Sequence, residues 1–230
     1  MPLPQEIVDT YLPRSAFIQI DMQRRHVDPD VGYHLVDAAK SAAIVKSSEK
    51  ILAAVRDADR PLIHVATYSR HESPWGFSDA GSPFWRYQNG KIVPGMGRPR
   101  QMGKNVEGSK FAEILPALAP QRNEPVVIKK RYSGFYQTDL EMVLRGLKVE
   151  MVFLWGVNTN NCVLATAYDA FSRDFCVAVI SDACGSMNGD EYHTSALMQI
   201  EAALGFVTSV DEVVSKLAPA GRPEHGDRCP

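Results

Sequence analysis

The sequence lacks the cysteine spacing, the basic stripes and the long apolar runs that mark several large classes of protein. Its four cysteines, Cys162, Cys176, Cys184 and Cys229, are too few and too uneven for a disulfide framework or a CxxC metal knuckle, so they read as reduced thiols. Lys and Arg number 25 against 27 Asp and Glu, a formal net charge of -2. The basic residues are scattered, so nothing is built to track a phosphate backbone and no nucleic-acid partner is expected. No run of ~18 uncharged apolar residues occurs, and MPLPQEIVDTYLPRS at the start has no basic region leading into an apolar one. The expectation is a cytoplasmic protein without membrane contact.

What is present is a core. With 230 residues and 45% hydrophobic content, the chain can bury a full interior without a staple, and its length favours one domain. Short β-branched runs alternate with longer segments of helical period, the pattern of a parallel sheet covered by helices. The strands are AFIQID (16–21), PLIHVAT (61–67), PVVIKK (125–130), EMVFLWG (150–156), CVAVISD (176–182) and FVTSV (206–210). Helices are expected over 36–58, 138–147, 160–173 and 190–204. The predicted fold is an α/β three-layer α-β-α sandwich, a single domain over 1–218 with a mostly parallel six-stranded sheet. Residues 219–230 lack an apolar pattern and read as a mobile tail.

In such a sheet, reactive groups collect at the carboxyl ends of strands. Asp21 ends the first strand, Lys129 the third, and Cys162 follows the fourth after the turn GVNTN. A thiol in the first turn of a helix feels unpaired N–H groups and the positive end of the helix dipole, and Lys129 adds a cation; both lower a thiol pKa. Asp21 can then accept the thiol proton. Each residue also has an ordinary role: Cys162 as a small buried hydrophobe, Asp21 as a cap, Lys129 as a solvated side chain. Periodicity alone leaves the two readings balanced.

Four segments tip the balance: FIQIDMQ (17–23), KKRYSGFYQTDLEMVL (129–144), GVNTNNCVLATAYDA (156–170) and VISDACGS (179–186). Together they resemble the isochorismatase-like cysteine hydrolases, a family that includes nicotinamidase, N-carbamoylsarcosine amidase, ureidoacrylate amidohydrolase and biuret hydrolase. The resemblance implies that Asp21, Lys129 and Cys162 are the catalytic triad. It also implies that a cis peptide precedes Asn158, and that the N–H groups of Asn158 and Cys162 form an oxyanion hole. Within the family, RYSGF, the TNNCV turn and IEAALGFVTSVDE are most similar to ureidoacrylate amidohydrolase, with biuret and triuret hydrolases close behind. Cleavage of a terminal ureido group is the activity this implies. An N-carbamoylsarcosine- or nicotinamide-type amidase is the alternative, and a noncatalytic binding or scaffold protein the alternative of another class.

Nicotinamidases hold a metal with an Asp-x-His pair and a further His after the second strand. Here that stretch reads TYSRHES, leaving only His71, and a divalent ion usually needs three or more ligands; no metal or other cofactor is expected. His26, His34, His64, His193 and His225 show no ligand spacing and read as packing or surface residues. Gln23, Arg24, Trp75, Tyr132 and Phe135 are candidate contacts for a small ureide or amide, with Tyr132 and Phe135 sandwiching a flat molecule. The aromatic loop from Tyr68 to Gly108 is too long for a plain connector and reads as a pocket wall, a lid or an oligomer contact. A homodimer or homotetramer is the assembly implied by the resemblance.

Overall fold

The computed structural model describes residues 3–31, 36–71, 82–92, 99 and 105–217. Six strands form one sheet: β1 (Ser15–Ile20), β2 (Leu62–Thr67), β3 (Val126–Lys129), β4 (Met151–Val157), β5 (Cys176–Gly185) and β6 (Phe206–Thr208). Their order is β3-β2-β1-β4-β5-β6, and every neighbouring pair is parallel. All six predicted strands are found, and the sheet is fully parallel. Every residue of β1 and β4 is buried, as expected of strands covered on both faces, and their sequences are accordingly near-continuous apolar runs.

The helices are α1 (Gln5–Tyr11), α2 (Arg24–Val27), α3 (Ala38–Asp57), α4 (Pro83–Gln88), α5 (Leu140–Gly146), α6 (Leu164–Phe171), α7 (Asp190–Ala203) and α8 (Val210–Leu217). α3 begins where the Asp37 carboxylate accepts the Ala39 and Lys40 N–H groups, and it buries Ser41, Ile44, Ser48, Ile51, Leu52 and Val55. That spacing makes one stripe, and each large side chain on it contributes about 1.5–3 kcal/mol through burial. α3 packs with α8, and α6 with α7. Right-handed crossovers running in opposite directions from β1 place these two pairs on opposite faces of the sheet. Among the described residues no helix is long and apolar enough to cross a membrane.

The boundaries move for local reasons. β6 stops at Thr208 rather than 210, because the Asp182 carboxylate takes the Val210 N–H at 2.9 Å and starts α8. β5 runs on to Gly185, since Cys184 and Gly185 resume pairing with Gly156 and Val157 beyond an irregularity after Leu154. The helix expected over 160–173 opens with a π-helical turn, Thr159–Val163, before α6. The segment expected to be a tail, 219–230, lies outside the described residues.

Gly156 decides how closely β1 and β4 can run. A Cβ there would sit 2.0 Å from the Ile20 carbonyl oxygen, and its φ is +126°, a backbone conformation essentially restricted to glycine. Ile20 is the last residue of β1, so this approach brings the end of β1 against the chain leaving β4.

Candidate active site

Four adjacent strand ends, β3, β2, β1 and β4, carry Lys129, Thr67, Asp21 and the turn to Cys162. The crevice between β1 and β4, from which the chain progresses in opposite directions, is the place where open parallel sheets bind ligands. Asp21 follows β1 with φ 52°, a left-handed conformation for which Asp is enriched, while its N–H still bonds the Val65 carbonyl at 2.8 Å. The Lys129 Nζ lies 2.7 Å from Asp21 Oδ2 and 3.3 Å from Cys162 Sγ. It also donates to Thr67 Oγ1 at 2.7 Å and to the Arg131 carbonyl at 3.1 Å. Thr67 Oγ1 in turn donates to Asp21 Oδ1 at 2.9 Å. Asp21 and Lys129 are each 1% exposed, and Cys162 8%.

The electrostatics of this cluster differ from the sequence expectation at one point. Burial alone works to lower the Lys129 pKa, but the Asp21 charge and Cys162 outweigh it and hold the ammonium above its ordinary value. For Cys162 the thiol is pushed up, to about 12, first by burial and then by the Asp21 carboxylate, which Lys129 only partly offsets. Lys129 does work to lower the thiol pKa, as expected, but burial and Asp21 outweigh it, and the net shift, expected to be downward, is upward. The sulfur and the Asp21 carboxylate both contact Lys129 Nζ, so a thiolate can form by transfer of the thiol proton to Asp21, a property of the coupled group rather than of the cysteine alone.

The turn bearing Cys162 is held from several sides. The Val157–Asn158 peptide is cis. The Asn158 carbonyl accepts the Asn161 and Val163 N–H groups at 3.2 and 3.1 Å, and its side-chain oxygen accepts the Met187 N–H at 2.9 Å. Thr159 Oγ1 pairs with His193 Nδ1 at 2.8 Å, and Ser186 donates to the Asn160 carboxamide at 2.7 Å. Thr166 donates to the Cys162 carbonyl at 2.6 Å and accepts the Gly134 N–H at 2.9 Å, which ties the RYSGF loop to the same turn. His193 is thus more specifically engaged than a packing residue. Burial lowers its pKa. His64 fits the packing expectation: it is fully buried between Gln19 and Glu124.

The candidate substrate contacts fare unevenly. Gln23 is fully buried and its carboxamide is occupied: Nε2 donates to the Thr67 and Ala112 carbonyls, and Oε1 accepts the Thr67 N–H at 3.1 Å. It is a backbone clamp, not a substrate contact. The Arg24 guanidinium is held by Asp28 at 2.7 Å and Glu113 at 3.3 Å, which corrects its expected role as well. Phe135 is 5% exposed. It stacks on Phe175, which precedes β5 at the opposite end of the sheet, with a 6.0 Å centroid separation, so it cannot sandwich a molecule against Tyr132. Tyr132 itself is half-buried and accepts a bond from Trp85 Nε1 at 3.1 Å, the two rings meeting edge to face at 5.4 Å. That contact brings α4, in the aromatic loop, onto the segment just after Lys129, as a pocket wall would require. Trp75 lies outside the described residues. Thr67 and Thr166 escaped the sequence reading; only the strand order reveals that Thr67 stands between the ends of β1 and β3.

An isochorismatase domain model matches residues 15–212, the whole stretch from β1 into α8. The chain belongs to the isochorismatase domain family. Relatives of this isochorismatase-family hydrolase include ureidoacrylate amidohydrolase RutB of Variovorax paradoxus, 28% identical over 96% of this chain and 88% of the relative. The enzyme of the same name from Yersinia enterocolitica is 29% identical over 90% and 91%. Among solved structures, a cysteine hydrolase from Pseudomonas syringae pv. phaseolicola superimposes with a TM-score of 0.74 at 29% identity, covering 89% of this chain and 92% of its own.

Proposed function

We propose that the chain is a cysteine-dependent amidohydrolase that cleaves the C–N bond of a small linear amide, the terminal ureido group of a ureide of ureidoacrylate, biuret or triuret type. The observation that carries this reading is the buried contact of one ammonium, that of Lys129, with both the Asp21 carboxylate and the Cys162 sulfur. A structural role alone does not call for an acid, a cation and a thiol sharing a buried crevice, since burying charge is costly. The ureide class is supported by the similarity to ureidoacrylate amidohydrolases along most of both chains.

In the proposed reaction Asp21 takes the Cys162 proton and the sulfur attacks the carbonyl carbon. Lys129 offsets negative charge while the Asn158 and Cys162 N–H groups receive the developing oxyanion. The C–N bond breaks, and ammonia leaves with the proton held by Asp21. Asp21 then removes a proton from water, whose oxygen attacks the thioester. The C–S bond breaks and the thiol is restored. From a ureide the released acid is a carbamate, which loses carbon dioxide. No step of the proposal calls for a metal or other cofactor. Cytoplasmic location and assembly as a homodimer or homotetramer belong to the same proposal, the latter supported by exposed Tyr168 and Phe171 on α6 and checked by light scattering. The test of function is an ammonia-release screen over ureidoacrylate, biuret, triuret, N-carbamoylsarcosine and nicotinamide. Turnover of a ureide above the other two amides is expected; failure on every ureide overturns the substrate class.

A further inference from the structure

The proposed chemistry uses three side chains, yet the ring of contacts has a fourth member. A threonine hydroxyl has one proton to give and lone pairs to receive, and an ammonium can only donate. The polarity of the chain of bonds is therefore forced: Lys129 Nζ–H to Thr67 Oγ1, and Thr67 O–H to Asp21 Oδ1, at 2.7 and 2.9 Å. The direct Lys129–Asp21 contact through Oδ2 closes the ring. Lys129 has a long rotatable stem and Asp21 can turn about its terminal torsion. Thr67, in contrast, is β-branched and stiff. Its backbone is fixed as well: Gln23 holds both its N–H and its carbonyl, and Asn105 donates to the same carbonyl at 3.1 Å.

We propose that Thr67 is a positioning residue of the reaction, its hydroxyl fixing the Asp21 carboxylate and the Lys129 ammonium relative to Cys162. Gln23 acts through it, which gives that residue a place in the site different from the substrate contact expected of it. The inference rests on the reading of Asp21, Lys129 and Cys162 as the reacting groups. The charged group in contact with Asp21 is Lys129; Thr67 is the neutral donor between the strands.

The test compares Thr67→Val, which keeps the shape and removes the hydroxyl, with Thr67→Ser, which keeps the hydroxyl. Ammonia release is measured with the ureide the parent turns over best. Alkylation of Cys162 by iodoacetamide is followed in parallel by peptide mass. In Thr67→Val, kcat falls about 10- to 100-fold, the loss of one hydrogen bond to a charged group, with KM changed less than about threefold. Alkylation of Cys162 at pH 7 slows as well, because the carboxylate and the ammonium beside the thiol are no longer held in place. Thr67→Ser returns both readouts close to the parent. Parental kcat in Thr67→Val, or equal impairment in Thr67→Ser, overturns the inference. If Thr67→Val does not fold, Thr67→Ala takes its place with the same outcomes. The alkylation rate separates the two claims: no ammonia from any amide refutes the substrate reading, whereas an unchanged alkylation rate in Thr67→Val refutes the role of Thr67 whatever the substrate.

Discussion

Replacing Lys129 by Met removes a cation and leaves a carboxylate behind in a site that water scarcely reaches. Lys129 Nζ makes four polar contacts, to Asp21, Thr67, the Arg131 carbonyl and Cys162, and both charged partners are 1% exposed. Breaking one side of a buried pair costs about 3–5 kcal/mol, because the remaining charge is uncompensated. For a domain of this size each kcal/mol moves the melting temperature by about 2–4 °C, so Lys129→Met should melt roughly 6–20 °C below the parent. The double variant Lys129→Met, Asp21→Asn removes the orphaned charge. It should be more stable than the sum of the two single losses by at least about 2 kcal/mol. Urea titrations at pH 7 of the parent, the two single variants and the double variant measure both quantities. A single variant within about 1 kcal/mol of the parent, or strictly additive losses, would refute the claim that Lys129 and Asp21 form a coupled buried pair.

Three further outcomes are expected. Cys162→Ala should lose ammonia release by about 1000-fold or more while its melting curve stays near the parent's; appreciable remaining turnover sinks the nucleophile assignment. The Arg56–Glu124–His64 group should make the fold acid-labile. Glu124 sits at about 2, held down by Arg56, the Gln121 N–H and His64 against the opposing effect of burial. The stability it contributes is complete above its ordinary 4.5 and is lost as pH falls from there toward 2, about 1–2 kcal/mol after solvent screening. His64, lowered by burial, must gain a proton against the fold, so loss begins below about 6.5; urea midpoints from pH 7 to 3 that fail to fall contradict both assignments. Gly156→Ala forces a Cβ onto the Ile20 carbonyl and should cost at least about 3 kcal/mol, read as a lowered urea midpoint together with lost turnover.

The sheet was legible because its strands are buried on both sides and therefore written as apolar runs, as in AFIQI and MVFLWGV. α3 was legible through its long stripe. α1 and α2 were not, being a turn or two long, and α8 follows so closely on β6 that its first residue was absorbed into the expected strand. The positions of Asp21, Lys129 and Cys162, the residues proposed to react, could be anticipated because strand ends are where a parallel sheet exposes chemistry. Their electrostatics could not: a pKa depends on burial and on which charges lie near, and those acting on Cys162 include Asp21, which follows β1 and stands 141 positions earlier in the sequence. Gln23 and Phe135 were misassigned for a related reason. A polar or aromatic residue beside a catalytic one in sequence can point into the backbone or toward the far end of the sheet, and nothing in the linear pattern distinguishes these directions.

The buried ring of Lys129, Thr67, Asp21 and Cys162 has a consequence for the energetics of turnover. In the proposed reaction the thiol proton crosses to Asp21, so the negative charge moves from oxygen to sulfur and the total stays the same. Lys129 faces a single counter-charge before and after, at either of two neighbouring atoms. The low-dielectric interior never has to accept or release a net ion at this step, so the solvation cost of ionic groups falls on folding and is not repeated with each substrate molecule. Activation of the sulfur becomes a short displacement of charge within a neutral assembly, a process to which ionic strength in the surrounding water should be nearly irrelevant.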